Sequence, residues 1–175
     1  LFAWLSALLP WNVTYSTVPF GGGEVSALFV RFPLFQVRFL WGVNVDDNVA
    51  LSLPIPGWLV PGSLDHLSAL AIQQGQSILV AYQVWAVGAA VFAVALALSV
   101  AYYRREERVE ALAVDPVRLM GGLLGLAGLV LAVATYLLYT RGLPGIPIPI
   151  GVLFLLLFSG LLLTVERVDS EAEQS

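Results

Sequence analysis

The chain contains no cysteine, no lysine and a single histidine, His66, among its 175 residues. Without cysteine there is no disulfide, no thiolate nucleophile and no cysteine-based metal site, and cysteine usage gives no sign of redox compartment. Charge is scarce too: 11% of residues are charged, against about 25% in an average soluble domain. A soluble protein with so little charge cannot cover its own surface. That excludes an ordinary cytoplasmic globular enzyme, a disordered chain, and a nucleic-acid binder, which needs a basic face. One histidine supports no Ser/His/Asp set, and Gly21-Gly22-Gly23 lacks both the lysine and the following helix of a phosphate-cradling loop.

What is abundant is apolar surface. The hydrophobic fraction is 59% and the mean hydropathy +0.87, which points to an integral membrane protein. Residues 119–140 and 142–165 carry no charge, and the uncharged run 66–103 is divided by Gln73, Gln74, Gly75 and Gln76, whose polar groups do not belong in hydrocarbon. This predicts spans over residues 77–103, 116–140 and 147–165. The opening residues 1–10 are too short to cross and read as the outer half of a first, truncated transmembrane helix, ended by Pro10 and the polar run 12–17. Asp115 before Pro116 reads as a helix N-cap, and Gly142 as a stop. Tyr102 and Tyr103 at one end, Tyr136 and Tyr139 at the other, fit interfacial aromatic belts.

Arginine placement orients the spans. Arg104, Arg105, Arg108, Arg118 and Arg167 lie on one side, which places residues 104–115, the acidic tail 166–175 and both termini in the cytoplasm, with 11–75 outside. The mixed charges around Arg104–Arg108 fit a solvated helix end. Within the external segment, residues 25–43 and 49–53 read as strands bounded by Gly and Asn/Asp clusters, with poor alternation in the first run. From Ser63 an interfacial helix is expected. The fold class is thus an all-α membrane protein: a four-helix transmembrane bundle with a small extracellular antiparallel β cap between helices 1 and 2.

Candidate residues each carry two readings. Gly121, Gly125 and Gly128 on the third span, and Ala86, Ala90, Ala93 and Ala97 on the second, form small-residue stripes for packing in the bundle or for a homodimer face. Arg31 and Arg38 are the only charges in 25–43; with Phe35, Trp41 and the neighbouring Phe29, Phe32 and Phe39 they anchor at headgroups, or contact lipid phosphate or an acidic partner. Asp65-His66 reads as a helix start and Asp46-Asp47 as a polar turn rather than metal ligands, and Asn12-Val13-Thr14 matches a glycosylation acceptor. No ionisable residue lies within the three complete spans; Gln83, Ser99, Thr135 and Ser159 are their interior polar groups.

The layout resembles the claudin-type tetraspan arrangement, with Trp41-Gly42 a faint echo of its loop signature, but the two cysteines of that signature are absent, so no barrier or channel function carries over. The stretches WLSALLPW (4–11) and VRFPLFQVRFLWG (30–42), with the lysine-free acidic composition, resemble uncharacterised multi-pass membrane proteins of halophilic archaea. That resemblance implies a cell-membrane setting and no activity. The composition also fits GC-rich codon usage. The expected function is that of a non-enzymatic accessory or envelope-organising protein acting through its external cap. The alternative is a component of a small-solute transporter or channel. The expected partners are the lipid bilayer and either another membrane protein or a second copy, with no nucleic acid, metal or cofactor.

Overall fold

Helices and one antiparallel sheet make up the computed structural model, which describes residues 1–20, 23–41, 49–52, 75–104, 115–141 and 145–164. In chain order the described elements are α1 (Phe2–Leu8), β1 (Asn12–Phe20), β2 (Gly23–Arg31), β3 (Gln36–Trp41), β4 (Val49–Ser52), α2 (Leu79–Arg104), α3 (Pro116–Thr140) and α4 (Ile150–Thr164). The expected interfacial helix after Ser63, the Asp46-Asp47 turn, Asp65-His66, Gly142 and the acidic tail lie outside the described residues.

At 26 and 25 residues, α2 and α3 are long and apolar enough to cross a membrane, each running about 38 Å against a hydrocarbon core of about 30 Å. Asp115 caps α3 as its position before Pro116 requires: its Oδ1 accepts from the Val117 amide at 3.0 Å. α4 is shorter than its uncharged run. It begins at Ile150, not 147, because Ile148 is held in extended pairing with Val13.

The core lies between α2, α3 and α4. On α3 the buried residues Leu124, Ala127, Leu131, Ala134 and Leu138 alternate spacings of three and four, the seam of closely packed helices. They cluster with Trp85, Phe92 and Ala95 of α2, and with Val152 and Leu155 of α4. A Cβ on Gly121 or Gly128 would press on Leu162 or Leu155, and one on Gly125 would meet the Ser159 side chain, so these glycines bring α3 close to α4. The alanine stripe of α2 does not enter the bundle seam: Ala90, Ala93 and Ala97 are exposed, which leaves them only the homodimer reading. Tyr82, Trp85 and Phe92 direct a different face of α2 inward, and the small residues in its seam are Ala81, Gly88, Ala89 and Ala95.

The sheet is larger than expected and begins at once after α1. Its strands run in the order β1-β2-β3-β4, all antiparallel. The polar run at 12–17 is a strand, and the run 25–43 is two strands. Phe32 to Phe35 turn between them, closed by the Phe32 amide donating to the Phe35 carbonyl at 2.7 Å. That reversal resets the phase of alternation, which is why the run shows none as a whole.

Candidate functional site

In an antiparallel pair, register partners and every second residue share a face. Asn12 is opposite Arg31, Thr14 opposite Phe29 and Ser16 opposite Ala27; across the next pair Arg31 is opposite Gln36 and Phe29 opposite Arg38. One face therefore carries Asn12, Thr14, Ser16, Arg31, Gln36 and Arg38 together with Ala27, Phe29 and Leu40, and all of these except Arg38 and Leu40 are buried. The other face carries Val13, Tyr15, Leu28, Val30, Val37, Phe39 and Trp41, none of them buried. The usual sheet puts apolar side chains in and polar ones out. This sheet instead buries a polar row beside Ala27 and Phe29, and its other face mixes apolar residues such as Val13 and Leu28 with the hydroxyls of Thr17 and Ser26.

Arg31 is the reason for the buried polar row. It ends β2 and is 0% exposed. Its Nη1 donates to Asn12 Oδ1 and Thr14 Oγ1, both at 2.9 Å, and its guanidinium carbon sits 4.9 Å from the centre of the Phe29 ring. Burial pushes the Arg31 guanidinium down from its ordinary value, while the Tyr82 hydroxyl of α2 holds it up. An arginine starts so high that it stays charged, so the cation is buried as a cation. Among the described residues the ion pair is Arg118 with Asp115, at the start of α3 and far along the chain from Arg31. Glu24, the acid of the described strands, sits exposed at the far end of β2, about 23 Å along the strand from Arg31.

Several polar atoms here have no hydrogen-bond partner: Arg31 Nε and Nη2, Asn12 Nδ2, Trp11 Nε1, Arg38 Nε and Gln36 Oε1. All but the last are donors. Unpaired buried donors cost on the order of 1–3 kcal/mol each, and buried native groups are almost always paired.

Aromatic rings pack beside the cluster at the N-terminal end of α2. Trp11 and Trp85 lie 6.0 Å apart and Tyr82 and Trp85 5.8 Å apart, and Trp85 Nε1 donates to the Pro33 carbonyl at 3.0 Å. That bond ties the β2–β3 turn to α2. On the free edge of β1, Val13 and Ile148 exchange two backbone bonds at 3.0 and 2.8 Å, and the Gly151 amide donates to the Pro10 carbonyl at 2.9 Å. Gly145, at φ +99°, and Gly151 are required there, since a Cβ on either would run into the backbone of Tyr15 or Pro10.

The four residues singled out in the sequence do not share one surface. Arg31 faces inward and Arg38 lies half-buried on the same face. Phe35 is in the turn, stacked on Phe32 at 4.5 Å, and Trp41 is 47% exposed on the opposite face, stacked on Phe39. Asn12 is enclosed with Arg31 and offers no glycosylation acceptor. Of the span-interior polar groups, Ser99 accepts from Trp4 Nε1 at 3.2 Å, Thr135 donates to the Leu131 carbonyl within its own helix, and Gln83 is exposed. Sequence reasoning missed Gln36 and Tyr82, and took Asn12 and Thr14 only as a glycosylation pattern. The signal was the alternation Asn-Val-Thr-Tyr-Ser, which marks a strand with one polar face.

The fold and its junction define a helical protein with helices of membrane-crossing length and a four-stranded sheet docked on them through a buried arginine cluster. The chain belongs to a family of unknown function, DUF7549, whose model matches residues 1–167. No curated protein matches the chain.

Proposed function

We propose that the chain is a multi-pass integral membrane protein that acts by association, as a non-enzymatic accessory or envelope-organising protein. The observation that carries the membrane reading is the outer shell of the helices. Val87 and Val94 on α2, Leu126, Leu129 and Val133 on α3, and Leu153, Leu157 and Leu161 on α4 are all exposed, while the hydroxyls of Thr135, Thr140 and Thr164 are bonded back to their own helices. Exposed aliphatic surface of this extent is at home in lipid and not in water. With arginines distributed as the positive-inside rule requires, both termini are cytoplasmic and the sheet is external. The lysine-free acidic composition supports a high-salt source.

The partner-facing surface in this reading is the outward side of the sheet. Phe39 and Trp41 stack on each other, and Tyr15, 58% exposed, lies on the same face across Leu28, a patch suited to another membrane protein. Purification in mild detergent of wild type and of a Phe39→Ala/Trp41→Ala double variant tests this. The variant is expected to lose a co-purifying partner while keeping its melting temperature. A partner retained undiminished by the variant contradicts the assignment.

A further inference from the structure

We propose that the Arg31 cluster is a binding site for one small oxyanion group, a carboxylate or phosphate, held between the sheet and the N-terminal end of α2. The inference does not depend on the accessory role. It rests on which edge of the guanidinium is occupied. Nη1 is taken by Asn12 and Thr14, whereas Nε and Nη2, whose N–H bonds point the same way, make no hydrogen bond of good geometry, the Tyr82 hydroxyl being the group of α2 that acts on the guanidinium. That edge is the fork which accepts two oxygens of a carboxylate or phosphate side-on. Asn12, whose Oδ1 holds Nη1, keeps an unpartnered Nδ2 donor. Trp11 Nε1 on the preceding residue and Arg38 Nε on the same sheet face are unpartnered too, as is the acceptor Oε1 of Gln36, the register partner of Arg31. Among the described residues no carboxylate pairs with these donors. A buried cation left without a counter-charge is strongly unfavourable, so an anion in the fork stabilises the fold as well as filling the site.

The oxyanion has two possible sources, an ion from solution or the headgroup of an anionic lipid. Full-length protein is placed in nanodiscs of a neutral galactolipid, which contains no phosphate, and titrated with inorganic phosphate or acetate against chloride at equal ionic strength. A second series adds phosphatidylglycerol to the discs, and native mass spectrometry counts lipids retained. One phosphate or acetate bound per chain with a rise in melting temperature supports a solution anion; one phosphatidylglycerol retained per chain supports a headgroup. Either result supports the site, provided it depends on the fork. Arg31→Lys keeps the charge and removes the fork, and is expected to weaken binding about tenfold or more. Should Arg31→Lys fail to fold, Asn12→Asp serves instead. It puts a carboxylate where Asn12 already accepts from Arg31, so binding disappears while the melting temperature in anion-free discs rises. The proposal is overturned if neither anion nor lipid binds, or if binding is unchanged in Asn12→Asp. It is also overturned if Asp46→Asn, Asp47→Asn or Asp65→Asn destabilises the anion-free protein as much as Arg31→Lys does, because the chain then supplies its own counter-ion.

Discussion

One indole nitrogen ties the β2–β3 turn to α2. Trp85 is buried, its ring packs against Trp11 and Tyr82, and its Nε1 satisfies the Pro33 carbonyl in the β2–β3 turn. Trp85→Phe keeps most of the apolar contact and leaves a buried carbonyl unpaired. The expected loss is about 1–2 kcal/mol in a reversible denaturation measurement, with the sheet's contacts to α2 loosened first. The opposite holds for Ala90, which is exposed on α2: Ala90→Leu is expected to leave the melting temperature within a degree or two, about the effect of a surface change. Little of this was legible in the residues alone. Arg31 and Arg38 stand out in the sequence because charge is so rare between 25 and 43, but whether an arginine snorkels outward or is buried depends on strand phase. That phase is set by the Phe32–Phe35 turn, which no local pattern announces.

Among the elements, the helices were the readable part. Long uncharged runs fix where α2 and α3 lie, and Asp115-Pro116 marks the start of α3 to the residue. The packing face was readable on α3, where glycine leaves no alternative to close approach, and misread on α2, where alanines occur on every side and the aromatics decide. Gly128→Leu is expected to drive α3 from α4 and cost about 1–3 kcal/mol, whereas Gly122→Leu, whose Cβ meets nothing within 4 Å, is expected to be close to neutral. Parallel thermal melts of the two variants make the comparison. At the sheet edge, Gly151→Ala collides with the Pro10 carbonyl and is expected to break the Gly151–Pro10 and Val13–Ile148 bonds together, read as faster amide exchange at Val13 and Ile148. β1 escaped notice because its buried residues are polar: a search for apolar alternation passes over a strand that exists to solvate a buried arginine.

At the scale of the whole molecule, the helices and the sheet turn different surfaces outward. The helices keep small and aromatic residues inside and present valine and leucine outward, while the sheet keeps its polar row inside and turns Phe39 and Trp41 out. The helices are therefore apolar on the outside, whereas the outer face of the sheet sets Phe39 and Trp41 beside the hydroxyls of Tyr15, Thr17 and Ser26. Single cysteines introduced at Asp46 and Glu107, with no native thiol to interfere, test the orientation: the first is expected to react with an impermeant maleimide in intact cells, the second only after permeabilisation. Embedding itself is tested most directly by alkaline carbonate extraction of membranes followed by ultracentrifugation. The chain is expected to stay in the pellet until detergent is added; its release into the carbonate supernatant would contradict a bilayer around α2, α3 and α4.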